Sequence, residues 1–118
     1  MRVIRIAEVE TVPIDTATPV PGWTGGEVKR TRQPLIPEGS SENFNSSVVN
    51  FERGATTGWH THESDQILVV TSGVGIVANE TEEREITVGD VVHINKGENH
   101  WHGARGESYM SHITITAV

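Results

Sequence analysis

The sequence predicts an all-β domain, an antiparallel sandwich or barrel, on three observations. Short runs rich in β-branched residues recur from residue 44 onward. Glycine-containing turn signals separate them at regular intervals. No window shows a helical period with caps.

The elements follow in order. Residues 1–12, opening MRVIRIAEVE, alternate apolar and charged side chains and predict a first strand. Residues 13–25, PIDTATPVPGWTG, carry prolines and glycines and read as a loop. Residues 26–36 read as extended and run into a proline-containing turn, LIPEGSSEN. Strands are then predicted over 46–52, 65–72, 74–79, 84–88, 90–94, 99–104 and 109–118. The acidic run ETEERE, residues 80–85, reads as a solvated hairpin between two of them.

Length and charge narrow the function. A chain of 118 residues suits one small domain. Its net charge is −7 and its nine basic residues are scattered, so no basic patch for nucleic acid or a membrane surface is present. There is no cysteine, which excludes disulfides, zinc fingers, iron–sulfur clusters and a thiol nucleophile. The N-terminus lacks the continuous apolar core of a signal peptide, no stretch reaches transmembrane length, and the expected location is the cytoplasm.

The chemistry is concentrated in two segments. In GATTGWHTHESDQILVVTSG, residues 54–73, His60 and His62 are two apart, which places both on one face of an extended segment. Gln66 follows, and its amide oxygen offers a third, neutral ligand. In GDVVHINKGENHWHGA, residues 89–104, His100 and His102 repeat the same spacing. A lone histidine pair is more often a satisfied core or surface feature, but two such pairs in one small domain point to a metal. Trp59 and Trp101 alternate with the histidines and so face away from the site, towards packing or a subunit interface. His93 reads as structural or surface-exposed. Trp23, Phe44, Val48, Phe51 and Met110 are candidates for lining the cavity.

These segments resemble the two cupin motifs. The first reads Gly54, five residues, His60-x-His62, three residues, a ligand, six residues, Gly73. The second reads Gly89, five residues, a proline position, one residue, Gly97, two residues, His100. Spacing matches at every step. Gln66 stands where the family usually has glutamate, and Asn95 where it usually has proline. WHTHxxxQxLxVTxG, GDVVxxxxGxxHWHGA and MxHITI are similar to a subgroup of small cupins that includes bacterial manganese-dependent hydroxynitrile lyases. The similarity covers about residues 22–116, including Trp23 and Gly25.

The resemblance implies a cupin-type jelly-roll barrel as one domain, 1–118, with residues 1–25 as N-terminal strand and arm and 44–116 carrying both motifs. It implies metal ligands at His60, His62, Gln66 and His100, and two further active-site histidines at His102 and His112. Four neutral ligands leave the full charge on one divalent ion and favour Lewis-acid over redox chemistry. Manganese(II) or iron(II) suits the set, and nickel, cobalt, copper or zinc can replace them. The implied activity is a lyase acting on a small hydroxyl-bearing molecule such as a cyanohydrin, with a histidine as base. Other cupin activities, namely uronate conversion, an iron dioxygenase or a non-catalytic sensor, stay open on sequence alone. The expected partners are a small-molecule substrate and further copies of the chain, as a dimer or tetramer, with the N-terminal strand pairing across a subunit boundary.

Overall fold

The structure is a computed structural model that describes residues 1–14 and 29–118. Among these residues it contains eight strands and no α-helix. They are β1 (Val12–Ile14), β2 (Arg30–Pro34), β3 (Phe44–Phe51), β4 (Gln66–Asn79), β5 (Glu83–Thr87), β6 (Val91–Ile94), β7 (His100–Ala104) and β8 (Met110–Ala117). Trp23 and Gly25, with most of the predicted loop 13–25, lie outside the described residues.

All pairings are antiparallel, and they form two facing layers that share β4. The first layer runs β1-β2-β3-β8 and continues through the first half of β4 to β6. The second holds the remaining half of β4 between β5 and β7. Gln66, Leu68 and Val70 are buried on the inner face of the first layer. A bulge between Val70 and Ser72 then inserts one residue into β4. It switches the inward set from even to odd positions, so that Val77 and Asn79 stand opposite His102 and His100.

The sequence predicts two strands in this segment, 65–72 and 74–79. It is one strand of 14 residues. Gly73 is no turn. It lies just beyond the bulge, opposite Met110, with φ of +74°, and a Cβ there would lie 1.9 Å from the Tyr109 carbonyl oxygen.

The predicted first strand is also corrected. Residues 1–11 are not in a strand; Ile6–Glu8 form a short 3-10 turn, and pairing begins only at Val12, opposite Arg32. The Gln33 side chain donates to the Ile6 and Val9 carbonyls, and the Val9 N–H also donates to Ile6 to close the turn. The alternation in MRVIRI is therefore not used for a ladder inside this chain, and Val3 and Ile4 stay exposed.

The interior is closed by Phe51, Ala55, Val70, Ile86, Ala104 and Met110, with Val49, Val77 and Val92 packed against them. Phe51, Val49 and His112 share the inner face because β3 and β8 pair Phe51 with Met110 and Val49 with His112. Phe44 and Val48 have the opposite parity. Phe44 is exposed, and the wall residue is Val49 where the sequence pointed to Val48.

Candidate metal centre

Two loops and three strands bring the predicted residues together. His60 and His100 exchange both backbone hydrogen bonds, at 2.9 and 3.0 Å, in an isolated antiparallel bridge. The Gly97 N–H donates to the His62 carbonyl at 3.0 Å, so the turn of the second segment also fixes the first. Gly103 lets the 54–57 loop lie against β7, where a Cβ would come within 2.4 Å of the Ala55 carbonyl oxygen. Thr57 completes the contact. Its N–H donates to the His102 carbonyl at 2.9 Å, and its hydroxyl accepts from the His102 N–H at 3.1 Å.

The result is a cluster of His60, His62 and His100 with one ring nitrogen from each within 4.8 Å of the others, a set that could hold a metal ion. The ring orientations suit this. His60 Nδ1 lies 2.8 Å from the Gly58 carbonyl, and His100 Nδ1 lies 2.8 Å from the Glu98 carbonyl. A carbonyl only accepts, so each Nδ1 carries the proton and each Nε2 keeps its lone pair. His62 Nε2 is buried without a hydrogen-bond partner. Gln66 donates through Nε2 to the Thr114 hydroxyl at 2.8 Å, which turns Oε1 towards His100 Nε2 at 3.2 Å. Two lone pairs face each other there, an arrangement that a cation between them stabilises and that its absence leaves repulsive.

His102 and His112 adjoin the cluster. His112 Nε2 is 3.0 Å from His102 Nδ1, and His102 Nε2 is buried with no partner. Phe51 packs against both rings, at centroid distances of 5.8 and 5.4 Å. The His102 ring stacks beside that of His100 at 5.6 Å.

Burial keeps these imidazoles neutral. It pushes His112 down to about 4. It also brings His60 to about 4, with smaller contributions from the neighbouring His100, His62 and Arg30 and against the hydrogen bond to Gly58. His102 is pushed well below the ordinary histidine value by burial and then by His112. His100 is lowered by burial as well. Neutral imidazole is the form a metal ligand or a general base needs.

A cavity of about 290 Å³ joins these groups, lined by His60, His62, Gln66, His102 and His112 and walled by Ile14, Val49, Thr57, Thr114 and Arg30. Arg30 was not singled out from the sequence, which offers no motif around it. Nor does the sequence mark Thr114 as the partner of Gln66, whose amide donates to its hydroxyl. A larger cleft, about 380 Å³ and rimmed by Glu82, Glu85, Asp90 and Glu98, reaches His100 but none of the other five predicted residues. His93 is exposed and bonds Asp65 at 2.9 Å. Trp101 is buried on the far face of β7 opposite Ala78, away from the histidines.

Residues 47–116 match the family model described as Cupin domain. The chain belongs to the cupin superfamily. It is 48% identical over 94 residues to an (R)-mandelonitrile lyase of Granulicella tundricola, covering 79% of this chain and 70% of that protein. Among solved structures, a cupin-like protein from Thermotoga maritima superposes with a TM-score of 0.72 at 36% identity, over 76% of this chain and 69% of that one. KdgF from Halomonas sp. superposes with a TM-score of 0.67 at 27% identity, over 80% and 85%. A jelly-roll barrel is the fold these cupins share with the chain. No helix among the described residues is long and apolar enough to cross a membrane.

Proposed function

We propose that this cupin is a metal-dependent lyase that cleaves α-hydroxynitriles to a carbonyl compound and hydrogen cyanide. His60, His62, Gln66 and His100 would hold the ion, manganese(II) or iron(II) by preference, and His102 would act as base. The observation that carries the reading is the buried His102–His112 pair beside a cluster whose lone pairs converge. The similarity to a mandelonitrile lyase supports the substrate class.

A divalent ion on four neutral ligands would supply Lewis acidity to a bound oxygen or nitrile. The chain's own residues do the rest. The carbonyls of Gly58 and Glu98 orient two imidazoles, and Thr114 orients the Gln66 amide. His102 takes the substrate hydroxyl proton at Nε2. This assigns the proton on its Nδ1 to a hydrogen bond with His112 Nε2, which holds the ring and stabilises its cationic form. The bond between the carbinol and nitrile carbons breaks, its electron pair leaves with cyanide, and the carbonyl forms. His102 then returns the proton to cyanide. Depression by burial suits both roles, since the ring is neutral before the reaction and acidic after it.

We also propose, from the sequence expectations, a cytoplasmic assembly of two or four chains. The test is metal analysis of protein purified without added metal, followed by assay of mandelonitrile and aliphatic cyanohydrins with that metal restored. Turnover that requires the metal is expected. No turnover by fully loaded protein across the panel would overturn the reading.

A further inference from the structure

Among the described residues, one wall of the cavity is permanently charged. Arg30 lies opposite Phe51 on β3 and opposite Ile14 on β1. Directly paired residues share a face, so Arg30 stands on the face of Phe51, whose ring touches both His102 and His112. It lines the same cavity as His60, His62 and Gln66, and its charge acts on His60. The side chain is partly withdrawn from water. None of the described lining residues is acidic, and the neighbouring walls Ile14 and Val49 are apolar. A guanidinium is always charged and offers only donors. Low-dielectric walls strengthen its field across the cavity.

We infer that Arg30 forms an anion subsite of this cavity, fitted to a small monovalent anion, and that in the proposed reaction it receives the cyanide leaving group. The existence of the subsite rests on the placement of Arg30 alone. The identity of the anion rests on the proposed lyase function. Arg30 transfers no proton. It balances the charge that passes to cyanide when the carbon–carbon bond breaks, until His102 gives back the hydroxyl proton. A site that stabilises the departing anion also holds it for the reverse addition to an aldehyde.

The test is calorimetric titration of metal-loaded protein with azide, a small linear monoanion, and separately with benzaldehyde as a neutral probe. Wild type is compared with Arg30→Gln and Arg30→Lys at matched metal content. Arg30→Gln is expected to weaken azide by about tenfold or more, the lower range of a hydrogen bond to a charged group, and to leave benzaldehyde binding unchanged. Arg30→Lys, which keeps the charge, is expected to retain most of the azide affinity. If Arg30→Gln does not fold, Arg30→Met preserves the apolar stem and reads the same quantity. Unchanged azide affinity in the neutral variant overturns the inference. So does an equal loss of azide and benzaldehyde, which would mark a structural role, or a fall of Arg30→Lys to the level of Arg30→Gln. Cyanohydrin turnover separates the two claims. Turnover with azide binding indifferent to Arg30 removes the subsite and keeps the lyase. Arg30-dependent azide binding without turnover keeps the subsite and removes the lyase.

Discussion

The ordering of the two buried histidines yields the sharpest prediction. Of the two, His102 lies beside the metal cluster, its Nε2 buried without a partner and its ring stacked with that of His100, while His112 Nε2 lies against His102 Nδ1. His102→Ala removes the base and should lower the rate by about two to four orders of magnitude. His112→Phe keeps an aromatic ring in the same place and removes the acceptor of the His102 Nδ1 proton. The lost interaction is a hydrogen bond to a group that becomes charged during the reaction, about 1.5–3 kcal/mol, or roughly 10- to 150-fold in rate. The assay is benzaldehyde release from mandelonitrile at matched metal occupancy. Metal content should be near normal in both variants, since neither residue belongs to the cluster within 4.8 Å. A His112 variant slower than the His102 variant, or a His102 variant as fast as wild type, would refute the assignment of base and partner.

Other consequences follow from the same geometry. Gln66→Glu should keep or tighten the metal, because a carboxylate adds charge, yet slow cyanohydrin cleavage by weakening the Lewis acid; metal analysis with kinetics checks both halves. His60→Ala or His100→Ala should abolish stoichiometric metal binding, and a double variant that retains about one ion per chain would sink the ligand set. His112 is held near 4, so its neutral form stabilises the fold fully above the ordinary histidine value of 6.5, and that stability is lost as pH falls from there through about 4. The gap is worth about 3 kcal/mol, and denaturant midpoints of metal-free protein at pH 7.5 and pH 5 should show a clear fall towards acid. Light scattering should give the mass of a dimer or tetramer, and deletion of residues 1–5, which carry exposed Met1, Val3 and Ile4, should shift it towards monomer.

How much of this was legible in the sequence depends on the range of the interaction that decides each feature. The histidine spacing is local. Side chains two apart on an extended segment share a face whatever the rest of the chain does, so His60 with His62 and His100 with His102 could be read directly. His112 and Thr114, two apart on β8, share the inner face by the same parity. The failures are non-local. Gly73 carried a turn signal, but its neighbours form one strand because the two halves find different partners, β8 and β6 on one side and β5 and β7 on the other. The N-terminal alternation predicted a strand, but a strand needs an edge, and Gln33 occupies the Ile6 and Val9 carbonyls with its side chain. Phe44 has a β-strand environment and an aromatic ring, yet the β3–β8 register sends it outward. Arg30 could not be found at all, because its position in the cavity exists only once β2 has paired with β3.

The bulge in β4 links the fold to the chemistry. Without the extra residue between Val70 and Ser72, a strand that buries Gln66, Leu68 and Val70 would continue to bury even positions. Val77 and Asn79 would then face outward, and β7, which pairs with that half, would lose its inward match with His102 and His100. Changing parity at one point allows a single strand to offer Gln66 to the site from one layer and to seat two histidines of the opposite layer against it. Gly73, just beyond the bulge, sits under the Tyr109 carbonyl, where no side chain fits. Gly73→Ala would therefore act on the site as well as on stability. The strand has to move away from Tyr109, and the register that brings Gln66 Oε1 to His100 Nε2 moves with it. The expected outcome is weakened metal binding in a variant that touches no ligand, measured by metal titration of protein whose circular dichroism remains that of a β-barrel. Unchanged metal affinity would show that the two halves of β4 are mechanically independent.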